Sequence, residues 1–458
     1  MSNICCSILD EFKDINFKDR RLNDRFSEIM HTLETSPSGL ISKSFVDAKD
    51  QKAAYRFFEN SKADYNTMLG SHQQRVKERC KGHTTVLAIQ DSSSVLLHGA
   101  RKADRIDNIG NLKCQHPGLN IHTSLLVTPQ QEVLGIADIH SFERQLVGKR
   151  NKAHFKLSAT KKETGRWLRA ITNTRQCLGS DIRLVWVADR EGDFWDYFSR
   201  LNETKELFVQ RVVHKREMQD DNLDYFSYVK SQPIIGTYSF EIPSRGGEAQ
   251  RQGRLVTCEV RTVLVTLKKP KILPREMKTF QVRAIHVIEQ TNDTPLEWFL
   301  ITNIDCESFE EILEKIQWYK IRWVIEELHR VVKSGCGVEE MRLEDKDRLM
   351  KYLLLLFIVG MRILWITKLA KQPEEIACTK AFSDEEWKML YVRKYKKKPE
   401  VGFVPSMKEA LKLLAILGGF YEYNKKRVPG QMTIWRGMRR LRELLDNLET
   451  IQILRGFS

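Results

Sequence analysis

Two short runs constrain this chain more than any others: TTVLAIQD, which ends on Asp91, and RLVWVAD, which ends on Asp189. Each is a continuous apolar, β-branched stretch, too short for an ordinary helix. A run apolar on both faces predicts a strand buried inside a sheet. Between them, LNIHTSLLV (119–127) and EVLGIADIH (132–140) predict two more strands joined at TPQQ, and a long polar helix follows over about 159–178. A further strand, LFVQRVV, spans 207–213. This order predicts an α/β chain: a three-strand meander, a helix, then strands returning to the centre of the sheet. Asp91 and Asp189 are each expected at a strand tip.

The flanking segments differ in texture. In the first seventy residues, KDRRLNDRFSEIMHTLE places Leu22, Phe26, Ile29 and Met30 on one helical face, and DAKDQKAAYRFFENSKAD predicts a second helix ending near Asn60. Their cations (Lys18, Arg20, Arg21, Arg25, Lys49, Lys52 and Arg56) suit either DNA contact or a solvated face. From about 215 to 303 the chain alternates apolar and polar residues between Gly, Pro and charge clusters, which predicts a β-rich insertion. Beyond Lys371, MKEALKLLAIL and MRRLRELLDNLETIQIL predict amphipathic helices. The expected division is therefore 1–70, 71–371 with its insertion, and 372–458.

Composition narrows the partners. Of the 458 residues, 41% are hydrophobic and 29% charged, the balance of a globular chain with a sizeable core. Lys and Arg exceed Asp and Glu by 75 − 60 = 15. Such an excess favours a polyanionic partner, DNA or RNA foremost. The nine cysteines show no C-x-x-C spacing, which predicts reduced thiols in a cytoplasmic protein. The first residues lack the pattern of a signal peptide. The most apolar run, 352–361, is cut at Arg362 and is expected to be a core helix rather than a membrane span.

The densest polar signal is WYKIRWVIEELHRVVKSG, residues 318–335. At about 100° per residue, Tyr319, Arg322, Glu326 and Lys333 fall within an arc of roughly 60° on a continuous helix. Ile321, Val324, Ile325, Leu328, Val331 and Val332 fall opposite. Such a face sets one carboxylate among a phenol, a guanidinium and an ammonium. The carboxylate suits a metal ion and the cations suit phosphates. Three acids gathered at one end of a sheet would suit hard divalent cations, which take oxygen ligands and can activate water for in-line displacement at phosphorus.

Strand-Asp, strand-Asp and helix-Glu in this order, with Tyr-x2-Arg-x3-Glu-x6-Lys around the last acid, resembles the DDE transposases of the insertion-sequence-four family, of the type represented by the transposase of transposon five. The resemblance runs along most of the chain: RLNDRF and KAAYRFFEN at the start, IQDSS and VADREGDFWDY at the two aspartates, YKIRWVIEELHRVVKSG at the glutamate, and PGQMTIWRGMRRLREL near the end. One small departure is Ser92 and Ser93 after the first aspartate, where threonines are expected.

The resemblance implies a ribonuclease-H-like mixed-sheet catalytic core with a β-rich insertion, flanked by N-terminal and C-terminal helical domains. It implies that 1–70 binds transposon ends and that 372–458 serves dimerisation. It also implies Asp91, Asp189 and Glu326 as catalytic metal ligands for two Mg²⁺ ions, with Mn²⁺ substituting. Tyr319, Arg322 and Lys333 would hold DNA phosphates near the cleavage point. Trp298 would receive a base extruded as a hairpin forms, with Trp323 and Arg211 in support. The implied activity is cut-and-paste transposition: nicking, hairpin formation and opening, and joining to target DNA. The implied partners are double-stranded DNA and a second copy of the chain, at the nucleoid of a bacterial cytoplasm and without a membrane. Two other readings fit the same residues, a metal-dependent nuclease and a catalytically silent DNA-binding protein. His122 and His140 are expected as packed strand histidines, and His329 sits at the edge of the polar helix face.

Overall fold

The computed structural model describes residues 7–98, 106–111, 114–144, 162–218, 224–242, 253–270, 279–290, 295–421 and 429–455. Ten strands among them form one mixed sheet. The first, β1 (Val86–Leu96), lies between β3 (Cys114–Val127) and β5 (Leu184–Ala188). It runs antiparallel to β3 and parallel to β5. The short β2 (Asn108–Asn111) and β4 (Val133–Phe142) both pair with β3, and β6 (Leu207–Arg211) pairs parallel to β5. The central order β4-β3-β1-β5-β6, an antiparallel meander beside parallel strands, is a ribonuclease-H-like core.

Strand alternation assigns the two faces. Leu87, Ile89, Val185 and Val187 point into one hydrophobic core, while Val86, Ala88, Leu184, Trp186 and Ala188 point into another. The second core is closed by Trp167, Leu168 and Ile171 of α5 (Gly165–Leu178) and by Tyr197 and Phe198 of α6 (Trp195–Glu203). The first is closed by helices from both ends of the chain. α1 (Arg20–Thr35) contributes Phe26, Ile29, Met30 and Leu33, and α3 (Ala48–Glu59) contributes Phe57 and Phe58. Between them lies the short α2 (Ile41–Ser44), and α4 (Tyr65–Cys80) leads into β1.

The segment predicted as a β-rich insertion extends the same sheet. After α7 (Tyr225–Lys230) come β7 (Ile234–Ile242), β8 (Arg254–Leu267), β9 (Phe280–Glu289) and β10 (Glu297–Thr302). β10 is antiparallel to β6, with Leu300 opposite Arg211, and β9, β8 and β7 follow outward. Strand pairing therefore joins the insertion to the core.

Several predicted boundaries move. β1 does not stop at Asp91. Its ladder with β3 continues through Asp91–Thr123 to Leu96–Gly118, whereas its pairing with β5 ends at Ile89–Val187. The helix expected from 159 begins at Gly165, and positions 159–161 lie outside the described residues. The strand at 207 ends at Arg211: Val212 N still donates to the Phe299 carbonyl at 2.9 Å, but the Asp193 carboxylate then takes Val213 N at 2.6 Å and His214 N at 2.8 Å.

The helix expected over 318–335 is segmented. α8 (Phe309–Ile321) gives way at Arg322 to α9 (Trp323–Arg330), and residues Val331–Gly335 form a π-helical turn. The π turn packs beneath α10 (Lys346–Leu369), where Gly360 permits close approach: a Cβ there would lie 2.8 Å from Val332 Cγ2. α10 is long and apolar enough to cross a membrane, but its most apolar window is wholly buried, as a core helix requires. α11 (Asp384–Tyr395), α12 (Met407–Leu417) and α13 (Gln431–Arg455) complete the chain, with Leu414, Trp435 and Leu441 buried in the first core.

Candidate active site

Parallel pairing of β1 and β5 sets Asp91 and Asp189 side by side. Each stands two residues beyond the last paired positions, Ile89 and Val187. By alternation both carboxylates leave the sheet on the side of Ile89 and Val187, which is the side covered by α9. Glu326 comes from that helix, whose apolar stripe (Val324, Ile325, Leu328) is buried against the sheet. The three acids, separated by up to 235 residues of sequence, thus lie on one side of the sheet, where two strands diverge under one helix.

Their electrostatics favour a cation. Burial first, and then the Asp189 and Glu326 carboxylates, push Asp91 up to about 7, with Arg322 opposing. A carboxyl so placed gains from a positive ion that relieves desolvation and repulsion together, and the donor set is the hard oxygen kind suited to divalent cations. The ligands are not drawn together in advance: among the described residues no three acid, His or Cys side chains converge into a ready metal cluster. Glu326 is held by Arg322 at 2.7 Å, one helical turn away. Asp91 accepts from Ser92 N at 2.9 Å, and Asp189 caps the turn Arg190–Gly192 by accepting from Glu191 N at 2.8 Å.

The predicted DNA-contacting residues sort into a buried layer and an exposed one. Tyr319 is 4% exposed and Arg322 is 7% exposed. Burial pushes the Tyr319 hydroxyl up, against Arg322 and against Arg211, which hydrogen-bonds it. Arg211 also donates to the Glu297 carbonyl at 3.2 Å. Trp298 is 8% exposed: its indole meets Tyr319 edge-on at 5.2 Å and stacks on Phe240 at 5.7 Å. Trp323, at 46% exposed, is the solvent-facing aromatic of the group, with the Arg322 guanidinium 5.2 Å from its ring. Lys333, half-buried in the π turn, has Glu339 and Asp91 as its charge partners.

His329 faces inward, not toward solvent at the helix edge. Its Nδ1 lies 3.7 Å from Asp91 Oδ2 and its ring packs against Phe357 at 6.0 Å. Burial, and then Lys333, lower its pKa to about 3, so it is neutral. His122 and His140 are packed strand histidines, with ring centroids 5.7 Å apart. Lys320 carries no motif of its own, yet its Nζ donates to the Tyr238 hydroxyl at 2.8 Å and sits 4.2 Å from the Phe240 ring. It thereby ties β7 of the insertion to α8, and only its place beside Tyr319 hinted at this.

Two family models match the chain. "Transposase DNA-binding" covers residues 8–63 and "Transposase DDE domain" covers residues 187–361. The chain belongs with the DDE transposases. The first match spans α1 to α3, and the second contains Asp189 and Glu326. Asp91 lies outside both matched segments and reaches the site through the β1–β5 pairing. Among solved structures, a piggyBac transposase synaptic complex with hairpin DNA is similar at 9% identity and a TM-score of 0.34, over 80% of this chain. The alignment spans 65% of that chain's length.

Proposed function

We propose that this DDE transposase is a cut-and-paste enzyme that binds the two ends of a DNA element, nicks them, passes through a hairpin and joins them to target DNA. The observation that carries the reading is the placement of Asp91 and Asp189 side by side just past the β1–β5 ladder, with Glu326 on the helix that covers the same side of the sheet. These three residues would hold the divalent ions on which DDE domains rely, two Mg²⁺ with Mn²⁺ able to replace them. Bound there, such ions activate water or a 3′-hydroxyl and stabilise the leaving oxygen.

The chain's own groups would do the rest. Arg322 releases Glu326 to a ligand role and is left free for a phosphate oxygen. Lys333 adds a second cation beside Asp91, and Tyr319, braced by Arg211 and Trp298, orients the strand. Base extrusion during hairpin formation costs a few kcal/mol of stacking. Aromatic stacking returns roughly 1–3 kcal/mol per base. Trp298 is our candidate platform, with Trp323 beside it. Because Trp298 is packed on Tyr319 and Phe240, a base would enter by displacing one of those contacts.

We assign 1–70 to end binding, 71–371 to catalysis and 372–458 to dimerisation, in a protein acting at the bacterial nucleoid. The apolar residues Leu448, Ile451 and Leu454, exposed on the last turns of α13, favour a second copy as partner. Glu326→Gln provides the test. Binding to a duplex carrying the inverted repeats that flank the reading frame should persist, and nicking should fall by about 10³-fold or more, since a metal ligand carries several kcal/mol of transition-state stabilisation. Nicking at the normal rate would overturn the assignment. Wild-type nicking without joining would leave a nuclease.

A further inference from the structure

One guanidinium reaches both aspartate-bearing segments, strand β1 and the turn after β5, from the far side of the sheet. Arg166, in the first turn of α5, is 8% exposed. Its Nε donates to Ser92 Oγ at 3.0 Å and its Nη2 to Glu191 Oε2 at 3.2 Å. The backbone N–H of these same two residues supplies the bonds already described, Ser92 to Asp91 Oδ1 and Glu191 to Asp189 Oδ1. Each acid is therefore held by the amide of a residue whose side chain Arg166 holds.

The guanidinium is itself fixed. Nη1 donates to the Glu163 carbonyl at 2.9 Å, and the Phe142 ring lies 4.4 Å beneath it. Ser92 Oγ also pairs with His122 Nδ1 at 2.9 Å. His122, opposite Ser92 in the β1–β3 ladder, packs against Trp167, the residue next to Arg166, at 4.6 Å. Strand alternation puts Ser92 and Arg166 on the face opposite the Asp91 carboxylate. Arg166 is thus able to fix the spacing of β1 and β5 just where their ladder ends, without entering the space the acids enclose.

We propose that Arg166, acting through Ser92 and Glu191, is a positioning residue that presets the Asp91–Asp189 spacing for divalent-metal binding. This rests on the reading of those aspartates as metal ligands. Groups that orient metal ligands typically account for about 10–100-fold in metal affinity when removed.

The test titrates the full-length protein with MnCl₂ alone, reading the metal-induced rise in unfolding temperature and calorimetric binding, and separately measures nicking of the inverted-repeat duplex. Arg166→Ala should raise the half-saturating Mn²⁺ concentration about tenfold or more. Arg166→Lys, which keeps the charge but not the fork, should be intermediate. Arg169→Ala, an exposed cation on the same helix, should bind Mn²⁺ like wild type, separating positioning from general charge loss. If Arg166→Ala does not fold, Ser92→Ala carries the test, with a several-fold rise expected. Wild-type Mn²⁺ affinity in a folded Arg166→Ala or Ser92→Ala protein, alongside an Asp91→Asn protein that neither binds Mn²⁺ nor nicks, would overturn the positioning role alone. An Asp91→Asn protein that binds Mn²⁺ and nicks normally would overturn the metal-ligand reading, and the positioning role with it.

Discussion

Arg322 and Glu326 are joined at 2.7 Å across a single helical turn, with the arginine buried and the glutamate half-buried. The pair neutralises the one acid of the site that comes from a helix, and it makes metal binding an exchange of partners. On the proposed role, Arg322→Ala removes a charge-assisted bond to phosphate worth about 1.5–3 kcal/mol, a loss of roughly 10–150-fold. Hairpin formation should slow by that factor and the first nick by less, as gel time courses on an end duplex would show. Hairpins formed at the wild-type rate would remove Arg322 from the DNA-contacting group.

Acidification should destabilise the fold before it affects most carboxylates. His72 is buried with Nε2 accepting from Ile136 N at 3.1 Å and Nδ1 bonded to Glu11 at 2.8 Å, an arrangement that fits only the neutral ring. Burial lowers its pKa, against the pull of Glu11. The unfolded chain takes up that proton near pH 6.5, so stability is full above this value and falls below it by about 1.4 kcal/mol per pH unit. Burial opposes ionisation of Glu11, yet Arg79 and His72 hold it below the usual carboxylate range, which adds a second loss below about pH 4.5. Urea midpoints should drop between pH 7 and 5, and His72→Gln, which keeps a donor and an acceptor, should flatten the slope. An equally steep slope in that variant would contradict this account.

Glu34 joins the two ends of the chain. From α1 it accepts from Ile8 N at 3.1 Å and Arg442 of α13 at 3.1 Å, and it forms an ion pair with Arg362 of α10. Arg442 continues to Glu386 of α11 at 2.6 Å. Glu34→Ala strips a carboxylate from the buried Arg362 and the half-buried Arg442 and should cost about 3–5 kcal/mol in chemical denaturation. A cost below about 1 kcal/mol would mean that water reaches these groups.

Gly437→Ala reverses the usual sign for a helical glycine. An alanine normally gains about 1 kcal/mol over glycine inside a helix. Here its Cβ would lie 2.1 Å from the Leu414 carbonyl oxygen, so α13 must move off α12. We expect a net destabilisation of about 1–3 kcal/mol. A stabilised variant would show that the two helices tolerate separation.

Local periodicity carried much of this protein. The strand character of residues 86–90 and 184–188, the apolar stripe of α9 and the helix 407–417 follow from side-chain spacing, because spacing alone decides which residues share a face. Spacing also marked Asp91, Asp189 and Glu326 as polar residues at the end or on the open side of an apolar element, but their reading as one metal site came only from the resemblance. Pairing was not legible. Whether β1 stops at Asp91 depends on which neighbour still offers hydrogen bonds, and β3 does so after β5 has ended.

The helix face over 318–335 shows the same boundary between the two kinds of information. Spacing alone sets Tyr319, Arg322, Glu326 and Lys333 apart from the apolar stripe of one continuous helix. Tertiary structure decided the break at Arg322, the π turn beneath Gly360, the burial of Trp298 behind Tyr319 and the exposure of Trp323. It alone brought Arg166 to Ser92 and Glu191 across 74 and 25 residues of chain. Faces are set by neighbours a few residues away. Hydrogen-bond partners and burial are set by segments that meet only when the sheet closes.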